Sequence, residues 1–248
     1  MPTATHALPA LDEQALRARN RHFYDGLWSD ARLCDPARFN TWPLVSELIA
    51  GATRRLEVAP GLRPRFPVPG THFVDISVPA LRSLRAADGQ ALQGSASALP
   101  FPDASFDALC AMDVIEHLVD DDSVLAELAR VAQPGARVLL SAPLHPDSWT
   151  AFDEFVGHCR RYVPDALLAN LRAHGFRLER SAIYGMQPKA SWLLDLGMWF
   201  LTHRRETAMR WYNRTLPLFA RAQQPLALVP GMVDAAGVDE VLLVCRRE

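Results

Sequence analysis

A chain of 248 residues, 49% hydrophobic and 22% charged, is long enough for one large α/β domain with a substantial core. Twenty-six basic residues against 28 acidic ones leave a net charge of −2, which gives no support to nucleic acid as a bulk partner. Cys34, Cys110, Cys159 and Cys245 are far apart and form no C-x-x-C pair, so neither a zinc site nor a disulfide framework is indicated, and a cytoplasmic protein with reduced thiols is expected. The first twenty residues contain Asp12, Glu13, Arg17 and Arg19 and no apolar run, so a secretory leader is not expected. No apolar run approaches the ~18 residues of a membrane span. Lys189 is the only lysine, a bias that fits a GC-rich bacterial genome.

Met1 to about Pro9 reads as a loose terminus. Leu11 to Trp28 is helical, with Leu16, Phe23 and Leu27 among polar neighbours. Asn40 to Ala50 is a second helix, with Asn40 as its cap. These two helices pack on the domain that follows, and such a prefix can also cover a bound ligand. A short strand then ends at Glu57 and Val58, followed by the turn Ala59-Pro60-Gly61, and a second strand ends in Asp75. Pro60, Pro64, Pro67 and Pro69 crowd the connection between them, and proline removes a helical hydrogen bond and clashes with the preceding turn. The crossover is therefore extended. Without a helix N-terminus to face a pyrophosphate, NAD and FAD are disfavoured, whereas a nucleoside ligand lacking phosphates has no need of one. Asp75 suits such a ligand, because the two oxygens of a carboxylate can accept both hydroxyls of a ribose. Strands also end in acids simply because they end at water.

Pro79 to Ala87 is a short helix, Ala91-Leu92 a brief strand, and residues 94–102 a loop. A buried strand, Ala108 to Met112, ends at Asp113. Asp120 to Asp122 open a helix with Val124, Leu125, Leu128 and Val131 inward, which Pro134-Gly135 ends. Ala136 to Ala142 is the next strand, parallel to the one before. Asp147 to Tyr162 reads as a polar and aromatic loop. Pro164 to His174 is a helix with Gly175 as its C-cap, and Phe176 to Tyr184 is a strand. Lys189 to about Gly237, rich in Trp and Met, is an insertion of two helices and a loop. Val238 to Cys245 is the last strand.

Six segments together resemble the class I S-adenosylmethionine-dependent methyltransferases of the type 11 group. They are L-E-V-A-P-G at 56–61, F-V-D-I at 73–76, A-L-P-F-P-D-A-S-F-D at 98–107, D-V-I-E-H-L at 113–118, L-A-R-V-A-Q-P-G-A-R-V-L-L-S-A-P at 128–143 and F-D-E-F-V-G-H-C-R-R-Y at 152–162. The resemblance spans roughly residues 54–185. It implies an α/β, Rossmann-like doubly wound sheet of seven strands with an antiparallel last strand, in a single domain. Residues 1–53 would be an N-terminal helical cap, 54–188 the cofactor-binding core, 189–237 a helical lid and 238–248 the last strand. It implies S-adenosylmethionine as cofactor, with Glu57, Ala59 and Gly61 along the methionine part and Asp113 near the methionine end. Asp75 would hold the ribose and Ile76 would pack on the adenine. Ser95 and Ala96 would stand where many members carry an acid and a small residue. The first motif has lost glycines and the adenine-reading acid is missing.

Methyl transfer requires an in-line nucleophile held close to an electrophilic carbon, and a hydroxyl or phenol must first lose a proton. Histidine is the side chain suited to take it. His145, at the sheet edge after the fifth strand, and then His158 are the catalytic candidates, with His117, Asp153, Arg161, Tyr162 and Trp192 as substrate contacts. The same His, Asp and Arg residues, with Arg160, can equally hold the loops together. The dense aromatics of the insertion favour a partly apolar acceptor and permit membrane-surface contact. A domain that keeps the fold but has lost turnover, acting in binding or assembly, is the alternative.

Overall fold

The computed structural model describes residues 13–185 and 191–248, so the expectations for Met1–Pro9 and Lys189 lie outside the described residues. Helix α1 (Glu13–Asp30) and the short α2 (Trp42–Leu48) precede the sheet. Asn40 does not cap α2. Thr41 holds that position without a side-chain bond, and the Asn40 amide instead donates to the Gln224 carbonyl, tying the segment to the distant insertion.

The sheet is built from β1 (Arg55–Val58), β2 (Thr71–Asp75), β3 (Gln90–Gln93), β4 (Phe106–Ala111), β5 (Ala132–Pro143), β6 (Phe176–Tyr184), β7 (Val229–Pro230) and β8 (Glu240–Arg247). Its order is β3-β2-β1-β4-β5-β8-β6-β7. The first five strands pair in parallel, and β8 runs antiparallel between β5 and β6. This is the expected doubly wound sheet with a reversed last strand, extended at one edge by the two-residue β7. Central strands buried on both faces read as near-continuous apolar runs, as Val138-Leu139-Leu140 and Val241-Leu242-Leu243-Val244 do, all fully buried.

Helices α3 (Val78–Ala86), α4 (Asp121–Val131), α5 (Ala151–Val156) and α6 (Pro164–Ala173) link the strands. The α4 stripe Val124, Leu125, Leu128 and Val131 is buried as its spacing predicts, and Asp120 caps it by accepting from the Ser123 N–H. The helix stops at Val131, and β5 already includes Pro134-Gly135. No helix forms between β1 and β2, as the prolines require. The insertion forms α7 (Ser191–His203) and α8 (Arg205–Ala222). The stretch read as the loop 147–162 instead contains α5, because Thr150 and Asp153 form a reciprocal capping box and Gly157, at φ 84°, closes the other end.

The strand order reverses between β1 and β4, and in such sheets the crevice at that reversal, beyond the carboxyl ends of the strands, is where ligands bind. No helix among the described residues is long and apolar enough to cross a membrane.

Candidate active site

A cleft of about 850 Å³ opens at this switch point. The tips of β1, β2 and β4 supply Glu57, Ala59, Asp75, Ile76 and Asp113 to its wall, and the β3–β4 loop supplies Ser95 and Ala96. Helix α1 lies across it, contributing Asn20, Tyr24, Asp25 and Trp28. Named bonds hold this roof in place. Arg17 donates to Ser97 Oγ, Asp25 accepts from the Val78 N–H at the start of α3, and Asn20 and Tyr24 reach the Gly157 and Val156 carbonyls. The prefix helix thus both packs and covers.

Asp75 is 4% exposed. Its Oδ2 accepts from the Gly61 N–H at 3.0 Å and its Oδ1 from the Ser77 N–H at 2.8 Å. Each oxygen keeps a second lone pair, the capacity a ribose diol uses. Burial pushes this carboxyl up to about 6, against the pull of the Ser77 and Gly61 donors. Ala59 takes a positive φ of 52° and so turns the chain at the cleft wall. Gly61, at φ 55°, tolerates no Cβ, which would lie 2.3 Å from the Trp28 ring. It delivers its N–H to Asp75 without itself lining the cleft.

Glu57 does something its sequence context does not reveal. Both of its oxygens accept backbone N–H groups of the proline-rich crossover, from Arg65 at 2.8 Å and Phe66 at 2.9 Å. Burial lifts its carboxyl to about 7, opposed by those same bonds. The missing helix is thus replaced by a carboxylate staple. Arg63, on this crossover, lines the cleft with its guanidinium 5.5 Å above the Trp28 ring. Neither Arg63 nor Tyr24 stood out in the sequence; the only signal was Tyr24 and Trp28 four apart on one helix face.

Asp113 takes φ 57° at the tip of β4. Burial raises the energy of its charge, but hydrogen bonds with Glu240 and Ser141 outweigh that and keep it below the ordinary range. Three residues on, the carboxylate of Glu116 is 1% exposed, and burial, then Asp113, push it well above its usual value. His117 lines the cleft. Its Nδ1 lies 3.2 Å from the Gly157 carbonyl and its Nε2 3.3 Å from the Tyr24 hydroxyl. A carbonyl only accepts, so Nδ1 carries the proton and Nε2 the lone pair. Burial, reinforced by His158, lowers the His117 pKa to about 3, so the ring is neutral.

The other sequence candidates lie elsewhere. His145 places Nε2 2.7 Å from the Ala235 carbonyl and does not line the cleft. His158 stands behind His117, ring centroids 4.7 Å apart, with Nδ1 2.9 Å from Asp153. Asp153, wholly buried, also binds Arg161 and Thr150; burial opposes its charge, but those bonds hold it well below the usual range. Arg161 continues to Asp239, and the Tyr162 hydroxyl donates to Asp121. Arg160 pairs with Asp121. Asp153, Arg161 and Tyr162 therefore brace the rim without facing the cleft, and Trp192 is exposed on α7.

Residues 68–140 match the family model of a methyltransferase domain. Demethylmenaquinone methyltransferase of Streptomyces avermitilis is 31% identical over 110 residues, covering 43% of this chain and 47% of that relative. The match to a methyltransferase domain thus covers residues 68–140, within the sheet that carries the cleft. The chain spans about half the length of that curated relative. A S-adenosylmethionine-dependent methyltransferase from Thermotoga maritima has the same fold, with a TM-score of 0.59 at 16% identity and coverage of 95% of this chain and 97% of that one. The [4+2]-cyclase SpnF shares it too, at TM-score 0.58, 17% identity and coverage of 97% and 98%. Asp75, Ile76 and the Arg63 cation thus share the wall of one cleft.

Proposed function

We propose that the protein transfers a methyl group from S-adenosylmethionine to a small, partly apolar, aromatic acceptor. The observation that carries this reading is Asp75, a buried carboxylate at the β2 tip that lines the cleft while backbone N–H groups of Gly61 and Ser77 hold its two oxygens in place. The bound sulfonium supplies an electrophilic methyl group. Asp75 would accept both ribose hydroxyls, Arg63 would hold the amino-acid carboxylate, and α1 would exclude water from the cleft. Ser95 offers the adenine only a neutral contact, weaker than an acid's.

His22 and His117 both line this space, and His117, the one behind the tip of β4, is a poor base at neutral pH. That favours an acceptor whose nucleophile needs no strong base, such as an electron-rich ring carbon or an acidic phenol. The quinone-type names of the relatives support an aromatic acceptor. The exposed aromatics of α7 and α8 support an apolar one: Trp199 and Trp211 stand in solvent, and α8 is tied to the roofing helix α1 through Arg205 and Asn213 at Asp30. In this reading the two helices act as a lid.

Titration calorimetry with S-adenosylhomocysteine should give one site, weakened at least tenfold by Asp75→Ala. Absence of heat and of thermal shift at millimolar ligand would overturn the reading. A second reading, a cofactor-holding module without methyl transfer, draws on Ser95 in place of an acid and on the shared fold of a cyclase. Tight binding with no methylated product from quinols, phenols or amines would favour it.

A further inference from the structure

We propose that Glu116, His117 and His158 form a binding site for a first-row divalent metal ion of the zinc class. One ligand atom from each lies within 4.8 Å of the others. His158 Nε2 and Glu116 Oε1 are 3.9 Å apart, too long for a hydrogen bond. Two donors on one tetrahedral ion, each at about 2.0–2.1 Å, lie roughly 3.4 Å apart, so the His158–Glu116 pair must close by about half an ångström and any wider pair by up to about 1.4 Å, within reach of side-chain rotation, to hold the ion.

Both rings are set up as ligands. A metal-binding histidine donates its other ring N–H to a carboxylate or a carbonyl, which fixes the tautomer and aims the lone pair. His158 gives Nδ1–H to Asp153 and His117 gives Nδ1–H to the Gly157 carbonyl. These supports are themselves rigid. Asp153 is clamped by Thr150 and Arg161, and a Cβ at Gly157, the left-handed cap of α5, would lie 2.0 Å from Asn20 Oδ1.

The carboxylate supplies the independent sign. Glu116 is 1% exposed, and its Oε2 meets no hydrogen-bond donor among the described residues. Arg161, on the same side, spends its guanidinium on Asp153 and Asp239. A buried carboxylate without a donor is costly, and a cation between it and two imidazoles removes that cost. Two nitrogens and one oxygen select zinc-like ions over magnesium or calcium, which prefer oxygen ligands. Cysteine spacing gave no hint of this site, because its ligands come from the turn after β4 and the end of α5. With Tyr24 alongside His117 at the cleft wall, the ion's open position would serve an oxygen of the acceptor. That last role rests on the methyl-transfer reading; the ion site does not.

The test is calorimetry of the full chain, stripped by chelator, with Zn²⁺, and visible absorption with Co²⁺ as a geometric probe. One Zn²⁺ per chain at micromolar or tighter affinity is expected, with at least a tenfold loss in Glu116→Gln and in His158→Gln, and no comparable Mg²⁺ binding. Circular dichroism and thermal unfolding check that each variant folds. Absence of stoichiometric Zn²⁺ binding, affinity unchanged in both folded variants, or Mg²⁺ bound in preference would overturn the proposal. S-adenosylhomocysteine heats from the same preparations report on the cofactor cleft separately.

Discussion

Asp75 carries both a function and a cost. An unfolded aspartate titrates near ~3.9, whereas burial lifts the folded group to about 6. Between those values the folded chain holds a proton that the unfolded chain has released. The group's cost to stability is therefore full above about pH 6 and disappears as the pH falls below about 4. Ligand binding has the opposite sign, because a protonated carboxyl cannot accept from both hydroxyls. Affinity for S-adenosylhomocysteine should drop as the pH falls through about 6, and Asp75→Asn should flatten that profile; a titration series from pH 8 to pH 5 checks both. Glu57 gives a second residue-scale prediction. Both of its oxygens face N–H donors, so an amide would turn one donor against another. Glu57→Gln should cost about 1–3 kcal/mol in denaturant unfolding. Asp75 was legible in the sequence as an acid at a strand tip. Glu57 was legible only as a cleft residue, because which carboxylate meets which backbone N–H depends on how the crossover folds.

At the scale of elements, the strands and the helix-free crossover were legible because apolar runs and prolines act locally. Helix α5 was not, although Thr150 and Asp153 carry a capping signature. Six residues are too few for a helical period to show, and the helix holds through its caps and through Asp153 beneath it. Thr150→Ala should therefore lower stability by about 1 kcal/mol and loosen the His158 ring, which a shift in its imidazole NMR signals would report. The roofing by α1 was legible only as one of two roles for a prefix helix, since its contacts with Ser97, Val78 and Gly157 join residues far apart in sequence. Gly61→Ala, which drives a methyl into Trp28 at a positive φ, should lower both the melting temperature and cofactor affinity. Thermal unfolding with and without S-adenosylhomocysteine measures the two together.

Over the whole molecule, a rigid sheet presents its strand tips to one cleft while the insertion leaves large apolar side chains in solvent. Trp192 and Trp211 are each 64% exposed and Phe219 is 67% exposed, on helices whose inner side packs Leu216 and Ala220 near Cys34 and Phe39. Such exposure has little to do with stability. Trp199→Ser with Trp211→Ser should change unfolding free energy by no more than about 0.5 kcal/mol per site and leave cofactor affinity intact, while raising KM for an apolar acceptor if these helices act as its lid. The doubly wound sheet was legible through the family resemblance, and only its central parallel pair through the strand–helix–strand pattern itself. The side chains that meet at the cleft from α1, the crossover and the turn after β4 were not, because no local pattern encodes which distant segments converge.

The account stands most directly on a calorimetric titration of S-adenosylhomocysteine into the wild-type chain and into Asp75→Ala at pH 8. It predicts a single site in the wild type and at least a tenfold loss in the variant. Equal affinity in the two proteins would contradict it.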